Sequence, residues 1–303
     1  MRLALLFSGQ GQQTWEHLLH LRQMADGAMA GVLEQALGET WHAAQENAAD
    51  LSVNVIAQPL IFGFEMAWWR SLQMHLPTPI CAAGYSLGEM AACAAAGLFV
   101  DTIGVNLCHE RARLMDRSTS VPTAMLSVLG LNEDRVFALA KRHGYAIAIR
   151  NSPSHFIVTG PAVGQDELTK DFEMAGASRL TTLAVQTPSH TSFLAPATIH
   201  FADKIASFKQ ERLAFPVISA VSGKLSFSAV AAADALARQI SSMLHWDDAL
   251  ETMIEMQPDV VLEIGPGNAL SRMLGDVAPG IPVRAVNDFR SPEGVLNWLG
   301  RYA

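Results

Sequence analysis

Short apolar runs alternate with longer helix-forming segments in the first 120 residues. Residues 3–7 and 80–83 are continuous apolar runs of strand length, and each leads into a turn that contains glycine. Residues 56–72 and 102–117 are long enough for helices, and an alanine-rich helix between them is predicted to end at Gly97. This alternation is typical of a parallel sheet that helices cover on both faces.

A different order of elements is predicted in the middle of the chain. Four strands and two helices follow one another there, at residues 124–131, 132–143, 145–149, 155–159, 165–175 and 180–185. Their order, β-α-β-β-α-β, is that of the ferredoxin-like arrangement. We therefore expect a small subdomain at residues 123–188, inserted into a large α/β domain formed by residues 1–122 and 189–303. The alternative is that these strands extend the main sheet.

The parallel pattern returns after Pro188. Strands are predicted at residues 215–219 and 260–264, with one helix over residues 232–256 between them. The second strand runs into residues 265–267 (GPG), which lack the Lys and Ser/Thr of a phosphate-binding loop and are interpreted as a turn. These last elements are expected to complete the large domain.

Composition and charge narrow the class of protein. Of the 303 residues, 50% are hydrophobic and 17% are charged, which excludes a disordered chain. The 21 basic and 29 acidic residues give a net charge of −8 without a basic block, so we expect neither nucleic acid nor a membrane as partner. No apolar run reaches the length of a bilayer span.

The cysteines and histidines indicate the compartment and the absence of a metal site. The three cysteines are sparse and have no pairing motif, which is typical of reduced thiols in the cytoplasm. Neither residue type occurs at metal-ligand spacing. We therefore expect a cytoplasmic protein without a metal or a bound cofactor.

The segment Gly84-x-Ser86-x-Gly88 carries the strongest chemical signal. It lies between a predicted buried strand and a predicted helix, which is the context of a nucleophile elbow. A sharp turn there exposes the Ser86 hydroxyl, and side chains at the two glycines would collide with the neighbouring strand and helix. The turn also places the backbone N–H of Leu87 at a helix N-terminus, where it can donate to a developing oxyanion.

A serine nucleophile needs a base, and His190 is the candidate. The other nine histidines lie in predicted helices or strands or at their ends, where packed or solvated side chains are the ordinary interpretation. His190 follows Pro188 in a break at the seam between the two predicted domains, and loops at such seams line clefts. The acidic residues between Ser86 and His190 look like helix caps or solvated positions. A backbone carbonyl would orient the imidazole equally well.

The glycine turn at residues 8–13 is a second loop of backbone donors at the carboxyl end of a strand. From the residues alone it has two interpretations. It is either an ordinary strand-to-helix turn or a second oxyanion donor at Gln10.

Seven segments, in this order along the chain, together resemble one family. They are residues 7–13 (FSGQGQQ), Gln58-Pro59, residues 84–89 (GYSLGE), Arg111, residues 151–153 (NSP), residues 188–190 (PSH) and residues 263–267 (EIGPG). The series is similar to that of the malonyl-CoA:acyl-carrier-protein transacylases, the acyltransferases of fatty acid and polyketide synthesis. The resemblance extends over nearly the whole chain.

The resemblance implies a fold and a reaction centre. The fold is a large α/β-hydrolase-like domain with an inserted ferredoxin-like subdomain. Ser86 would carry the acyl group as an ester, and His190 would be its general base. The backbone N–H groups of Gln10 and Leu87 would form the oxyanion hole. The main-chain carbonyl of Gln239 would orient the imidazole.

The resemblance also implies a substrate and a partner. Arg111 would bind the free carboxylate of a malonyl group, a task that suits a planar guanidinium. Gln58 would line the pocket. Malonyl-CoA would be the acyl donor and the prosthetic-group thiol of a small acyl carrier protein the acceptor, with no further cofactor.

Two positions depart from the family pattern, and one of them, Tyr85, points to a particular branch. Tyr85 replaces a histidine and Ser8 replaces a proline. Tyr85, residues 288–291 (DFRS) and residues 298–299 (WL) resemble the transacylase (epsilon) subunit of bacterial malonate decarboxylase, whose acceptor is a dephospho-CoA-type group on a small carrier subunit. A transacylase of fatty acid or polyketide synthesis is the alternative. A serine esterase or thioesterase is the alternative of another class.

Overall fold

Two separate sheets organise the chain, and the computed structural model describes residues 1–46, 50–119, 121–208 and 212–303. The strands of the described part are β1 (Leu3–Phe7), β2 (Cys81–Gly84), β3 (Thr123–Leu129), β4 (Ala146–Ser152), β5 (His155–Pro161), β6 (Arg179–Thr182), β7 (Arg212–Ile218), β8 (Leu225–Ser228), β9 (Leu244–His245), β10 (Val260–Ile264) and β11 (Val283–Ala285).

The α-helices of the same residues lie between these strands, except the last, which follows β11. They are α1 (Trp15–Met24), α2 (Gly27–Leu37), α3 (Glu39–His42), α4 (Asn54–Leu72), α5 (Gly88–Ala95), α6 (Asp101–Ser118), α7 (Glu133–Arg142), α8 (Gln165–Met174), α9 (Ala195–Ile205), α10 (Ala229–Arg238), α11 (Trp246–Glu255), α12 (Ala269–Val277) and α13 (Pro292–Leu299). Within the described residues, none of the helices has the length and apolar character needed to cross a membrane.

The larger sheet has six strands in the order β11-β10-β1-β2-β7-β8. All neighbours are parallel except β8, which runs antiparallel to β7. Every side chain of β1 is fully buried, because alternate residues face opposite sides and both sides are covered. Leu5 and Phe7 pack in a cluster with α4, α5 and α6, whereas Leu6 packs with α11, α12 and the second sheet. The predicted parallel sheet with two covered faces is therefore confirmed.

The smaller sheet has five strands in the order β6-β3-β5-β4-β9. Each neighbouring pair among its first four strands is antiparallel, and β9 pairs parallel to β4. Helices α7 and α8 pack against it through a core that includes Leu139, Phe156 and Phe172. The strands of the middle segment form a sheet of their own and do not extend the main sheet.

The single helix predicted over residues 232–256 is wrong. Two helices, α10 and α11, occupy this region, and residues 239–245 between them leave the helical path. The break has tertiary causes, since β9 pairs with β4 and the carbonyl of Ile240 accepts a hydrogen bond from the N–H of His190 at 2.8 Å. No glycine or proline in this stretch marks the break in the sequence.

Candidate active site

Ser86 occupies a strained turn between β2 and α5. Its φ of 54° lies in the left-handed region, which a non-glycine residue rarely adopts. A Cβ at position 84 would collide with the backbone of Gly88 and Glu89, and a Cβ at position 88 would collide with the backbone of Phe7. The two glycines are therefore sterically required, as the sequence analysis expected. The turn leaves Ser86 only partly buried at the carboxyl end of the sheet.

The imidazole of His190 lies directly against this serine. Its Nε2 is 2.7 Å from Ser86 Oγ, and its Nδ1 is 2.5 Å from the main-chain oxygen of Gln239. A carbonyl oxygen can only accept, so Nδ1 carries the proton and donates it, and Nε2 is left to accept from the Ser86 hydroxyl. The break between α10 and α11 is what presents the Gln239 carbonyl to the ring.

The protonation of His190 follows from its surroundings. The ring is 2% exposed. Burial, together with the positive charge of Arg111, lowers the pKa of His190 to about 3, although the Gln239 carbonyl partly offsets this by favouring the charged ring. The neutral imidazole is the form that can accept a proton, so the ring of His190 has the protonation state that a general base requires at neutral pH.

Arg111, on α6, lines the same cavity as Ser86 and His190. Its Nη1 donates to Oε1 of Gln58 at 2.8 Å and its Nη2 donates to Oε1 of Gln239 at 3.4 Å. The side chain is 1% exposed, its Nε has no hydrogen-bond partner, and no carboxylate of the described residues forms an ion pair with it. Burial lowers the pKa of Arg111 to about 10, so the group remains a cation at neutral pH. A buried cation with a free donor suits an anionic ligand.

Two backbone N–H groups without an acceptor in the described part of the chain belong to turns that line the cavity beside Ser86. Gln10 and Leu87 both line the cavity that contains Ser86, and within the described residues neither of their N–H groups has a hydrogen-bond acceptor. The loop that carries Gln10 is held by Ser8, whose N–H donates to the carbonyl of Ile264 at 3.1 Å and whose hydroxyl donates to Glu263 at 3.0 Å. Two free backbone donors beside one serine hydroxyl are the groups from which an oxyanion hole can be formed.

A cavity of about 80 Å³ joins these groups. Six of the seven predicted site residues line its polar wall: Gln10, Gln58, Ser86, Leu87, Arg111 and His190. The seventh, Gln239, does not line the cavity but contacts Arg111 and His190. Its apolar wall is formed by Met115, Met125, Ile149, Ile157, Leu183 and Val185. A cavity of this volume and lining suits a short acyl chain with a polar end.

Glu89 is a buried carboxyl of the turn motif at residues 84–89, and the sequence alone predicts no role for it. It is 1% exposed in the first turn of α5, and its Oε2 accepts from Nε2 of Gln239 at 3.3 Å. Burial raises the pKa of Glu89 to about 8, against the opposing effects of hydrogen bonds and the charge of Arg111. The only signal in the sequence is a single acid in an alanine-rich helix, which an exposed position would also produce.

One family model, described as the acyl transferase domain, matches residues 5–279 of this chain. The chain belongs to this acyltransferase family. The malonyl CoA-acyl carrier protein transacylase of Mycobacterium tuberculosis (strain CDC 1551 / Oshkosh) is 31% identical over 296 residues, which cover 94% of this chain and 96% of that protein. The protein of the same name from Haemophilus influenzae is 26% identical over 309 residues, which cover 98% and 99%.

Solved structures of this group share the mixed α/β fold of the acyltransferase. The crystal structure of FabD from Acinetobacter baumannii superposes with a TM-score of 0.88 at 26% identity, covering 100% of this chain and 99% of that one. A complex of a malonyl-transacylase with a type II polyketide synthase acyl-carrier protein gives a TM-score of 0.85 at 27% identity, covering 98% and 99%. The resemblance stated from the motifs is thus confirmed for the transacylase family.

Proposed function

We propose that this acyltransferase moves a malonyl group from malonyl-CoA to the thiol of an acyl carrier protein, through a malonyl ester on Ser86. The observation that carries the proposal is the buried guanidinium of Arg111, which has no carboxylate partner and lies in the same cavity as the Ser86–His190 pair. A malonyl group has the two features this cavity requires, an acyl carbon for the serine and a free carboxylate for the arginine. The names of the relatives agree with this substrate.

The first half-reaction forms the ester. Nε2 of His190 takes the proton of the Ser86 hydroxyl as Oγ attacks the thioester carbonyl, and a C–O bond forms. The N–H groups of Gln10 and Leu87 donate to the oxyanion, and removing one such donor typically costs about 10²–10³ in rate. The C–S bond then breaks, and the departing CoA sulfur takes the proton from His190.

The second half-reaction reverses these proton movements. The carrier thiol gives its proton to His190 and its sulfur attacks the ester carbonyl. When the tetrahedral intermediate collapses, the C–O bond to Ser86 breaks and the serine oxygen recovers the proton from His190. Between the two halves the ester has to outlast attack by water, and the bidentate donors of Arg111 hold the malonyl chain in one pose.

The acceptor of the malonyl group is the thiol of a small carrier, and two kinds of carrier are considered. We propose an acyl carrier protein because a structural neighbour of similar length is a transacylase in complex with one. The carrier subunit of malonate decarboxylase stays a prediction from Tyr85 and the C-terminal residues, and a carrier of fatty acid or polyketide synthesis fits the relatives equally well. Transfer assays with both kinds of carrier, each bearing its own prosthetic group, separate them.

The domain division is part of the same proposal. We propose an α/β-hydrolase-like domain of residues 1–122 and 189–303, with a ferredoxin-like subdomain of residues 123–188. The order β3-α7-β4-β5-α8-β6 and the antiparallel pairing of these four strands support it. Strand β9, from the larger domain, adds a fifth strand at the edge of the small sheet.

Intact-mass measurement after incubation with malonyl-CoA tests the proposed chemistry. The wild-type protein is expected to gain one malonyl group that persists until a carrier thiol is added. Ser86→Ala removes the oxygen that forms the ester and is expected to gain nothing. Rapid release of free malonate without a persistent adduct would instead identify a thioesterase, and the absence of both adduct and malonate would refute the proposal.

A further inference from the structure

A buried amide connects the carboxyl of Glu89 to the guanidinium of Arg111. The side chain of Gln239 is fully buried, and its Nε2 donates to Oε2 of Glu89 at 3.3 Å and to the main-chain oxygen of Ser86 at 3.2 Å. Its Oε1 accepts from Nη2 of Arg111 at 3.4 Å. Because the Ser86 carbonyl only accepts and the guanidinium only donates, these partners fix the orientation of the amide. One amide group therefore separates the carboxyl from the guanidinium.

This separation lets Glu89 act on the charge of Arg111 without using its donors. Burial raises the pKa of Glu89 and lowers the pKa of Arg111, and the attraction between the two charges opposes both shifts. A carboxylate in direct contact would occupy the guanidinium. Instead, Nε of Arg111 has no hydrogen-bond partner among the described residues. Glu89 is thus a counter-charge at one remove, and the guanidinium stays open to a ligand.

The other charged and titratable groups around Glu89 are of a different kind. Within the described residues, the groups whose charge acts on it or responds to it are Arg111 on α6, Arg238 on α10 and the thiol of Cys93 on α5 itself. Arg238 is exposed and pairs with Asp234 at 2.7 Å. Burial raises the pKa of Cys93 well above its ordinary value, so this thiol stays neutral. Of these three groups, Arg111 is the buried cation.

A malonyl carboxylate at Arg111 brings a second acidic group to this cation. When Glu89 is protonated, the malonyl carboxylate and the guanidinium form a pair with no excess charge. When Glu89 is ionised, the same buried region holds two carboxylates and one guanidinium, and like charges oppose each other strongly in such a site. The pKa of Glu89, about 8, makes both forms accessible close to neutral pH.

We propose that Glu89 is a specificity residue whose negative charge, acting across the Gln239 amide, opposes binding of the malonyl carboxylate to Arg111. The inference rests on the proposed function. Malonyl binds to the form with Glu89 protonated, so binding to the ionised form transfers one proton from solvent to the Glu89 carboxylate. An acyl group without a carboxylate brings no second anion. The preference for malonyl over acetyl should therefore fall as Glu89 ionises.

Glu89→Gln tests this inference, because the amide has a similar shape and no charge. We measure kcat/KM for acylation of Ser86 by malonyl-CoA at pH 7 and pH 9. The wild-type value should fall about 10-fold, because the neutral fraction of a carboxyl with a pKa of about 8 falls by that factor. Glu89→Gln should keep its pH 7 value at pH 9 and exceed the wild type there, a gain that a damaged structure does not produce.

Two controls accompany this comparison. Glu251→Gln removes an exposed carboxyl of α11 and should show the same fall between pH 7 and pH 9 as the wild type. Acetyl-CoA as the donor should show no such fall in the wild-type protein, whereas a general disturbance of the site by ionised Glu89 would slow both donors equally. Equal falls with both donors, a flat wild-type profile with malonyl-CoA, or a fall in Glu89→Gln as large as in the wild type would overturn the inference.

Proton uptake gives a second measurement that does not depend on the folding of Glu89→Gln. Ser86→Ala binds thioesters without acylation, and calorimetry at pH 8.5 in two buffers of different ionisation enthalpy counts the protons bound. Malonyl-CoA should bring about half a proton or more per site, and acetyl-CoA none. Equal uptake with both thioesters would overturn the inference. Failure of the wild-type protein to form a malonyl adduct at either pH would overturn the proposed function instead, so the two failures are distinguishable.

Discussion

The main-chain oxygen of Gln239 accepts a hydrogen bond from Nδ1 of His190 at 2.5 Å. A carboxylate does this in serine hydrolases that use a triad, and it also stabilises the imidazolium electrostatically. A carbonyl fixes the tautomer but carries no full charge. The imidazole therefore has an oriented proton and yet resists protonation, because burial and Arg111 both oppose the charged ring.

The pH dependence of acylation should show this difference. With a pKa of about 3, His190 stays neutral from pH 7 down to pH 5, so kcat/KM for malonyl-CoA should lose nothing through this group. With an ordinary histidine pKa of about 6.5, kcat/KM would fall about 25-fold over the same interval, because the neutral fraction of the ring falls by that factor. Arg111→Gln removes a positive charge that disfavours the charged ring. The acid limb of the pH profile of kcat/KM, measured for this variant with acetyl-CoA, should therefore move to higher pH. An acid limb near pH 6.5 in the wild-type protein would contradict the assignment.

Arg111 should determine the preference for malonyl over acetyl. Breaking a buried charge pair of this kind costs about 2–5 kcal/mol, so Arg111→Ala should lower kcat/KM for malonyl-CoA on the order of 100-fold. Slow transfer of acetyl should remain, because Ser86 and His190 are untouched. The measurement is the ratio of the two kcat/KM values.

Arg113→Ala is the matched control for Arg111→Ala. Arg113 lies on the same helix but is exposed and pairs with Glu110 at 3.7 Å. This exposed pair contributes little, so the control should keep the malonyl preference. An unchanged preference for malonyl over acetyl in Arg111→Ala itself would show that the arginine does not bind the carboxylate.

Gly84→Ala should be severely destabilising. The added Cβ would meet main-chain atoms of Gly88 and Glu89, which cannot rotate aside as a side chain can. We expect a loss of several kcal/mol in the free energy of unfolding, or no folded protein. Gly31→Ala is the matched control, because nothing lies within 4 Å of its added Cβ in the helix α2, and it should stabilise by about 0.5–1 kcal/mol. Chemical denaturation of both variants makes the comparison, and two equal effects would contradict the steric argument.

The sequence predicted the turn at Ser86 because its cause is local. Two glycines, a preceding apolar run and a following helix are sufficient to define the elbow, and the structure adds only the identity of the colliding atoms. The parallel sheet was predictable for a similar reason, since fully apolar runs such as residues 3–7 indicate strands buried on both faces.

Features with long-range causes were not predictable in this way. The break after α10 arises from pairing of β9 with β4 and from the hydrogen bond of His190 to Ile240, none of which leaves a mark in residues 239–245. Hydrogen bonds from Tyr85 to Asn151 and from Asn151 to His155 join the turn after β2 in the larger sheet to strands β4 and β5 of the smaller sheet. Their sequence separations hide these contacts from any local pattern.

Glu65 should make the protein lose stability as the pH rises. It lies within α4 at 0% exposure. Burial raises its pKa well above the ordinary value, the Ser8 backbone partly opposes this, and the carboxyl of Glu263 raises it further. When the pKa of a carboxyl is higher in the folded than in the unfolded protein, its contribution to the free energy of unfolding is fully present at pH values below the unfolded pKa. That contribution disappears as the pH rises towards the folded pKa.

Glu65→Gln isolates this effect, because the amide has the same shape and cannot ionise. The difference in the free energy of unfolding between variant and wild type should grow by about 1.4 kcal/mol per pH unit above the unfolded pKa. Urea denaturation between pH 5 and pH 8 measures it. Glu167→Gln, at an exposed position of α8, is the control, and its free energy of unfolding should have the same pH dependence as that of the wild type. If the free energy of unfolding had the same pH dependence in Glu65→Gln and in the wild type, Glu65 would already be charged in the folded protein. Its burial would then require a cationic partner.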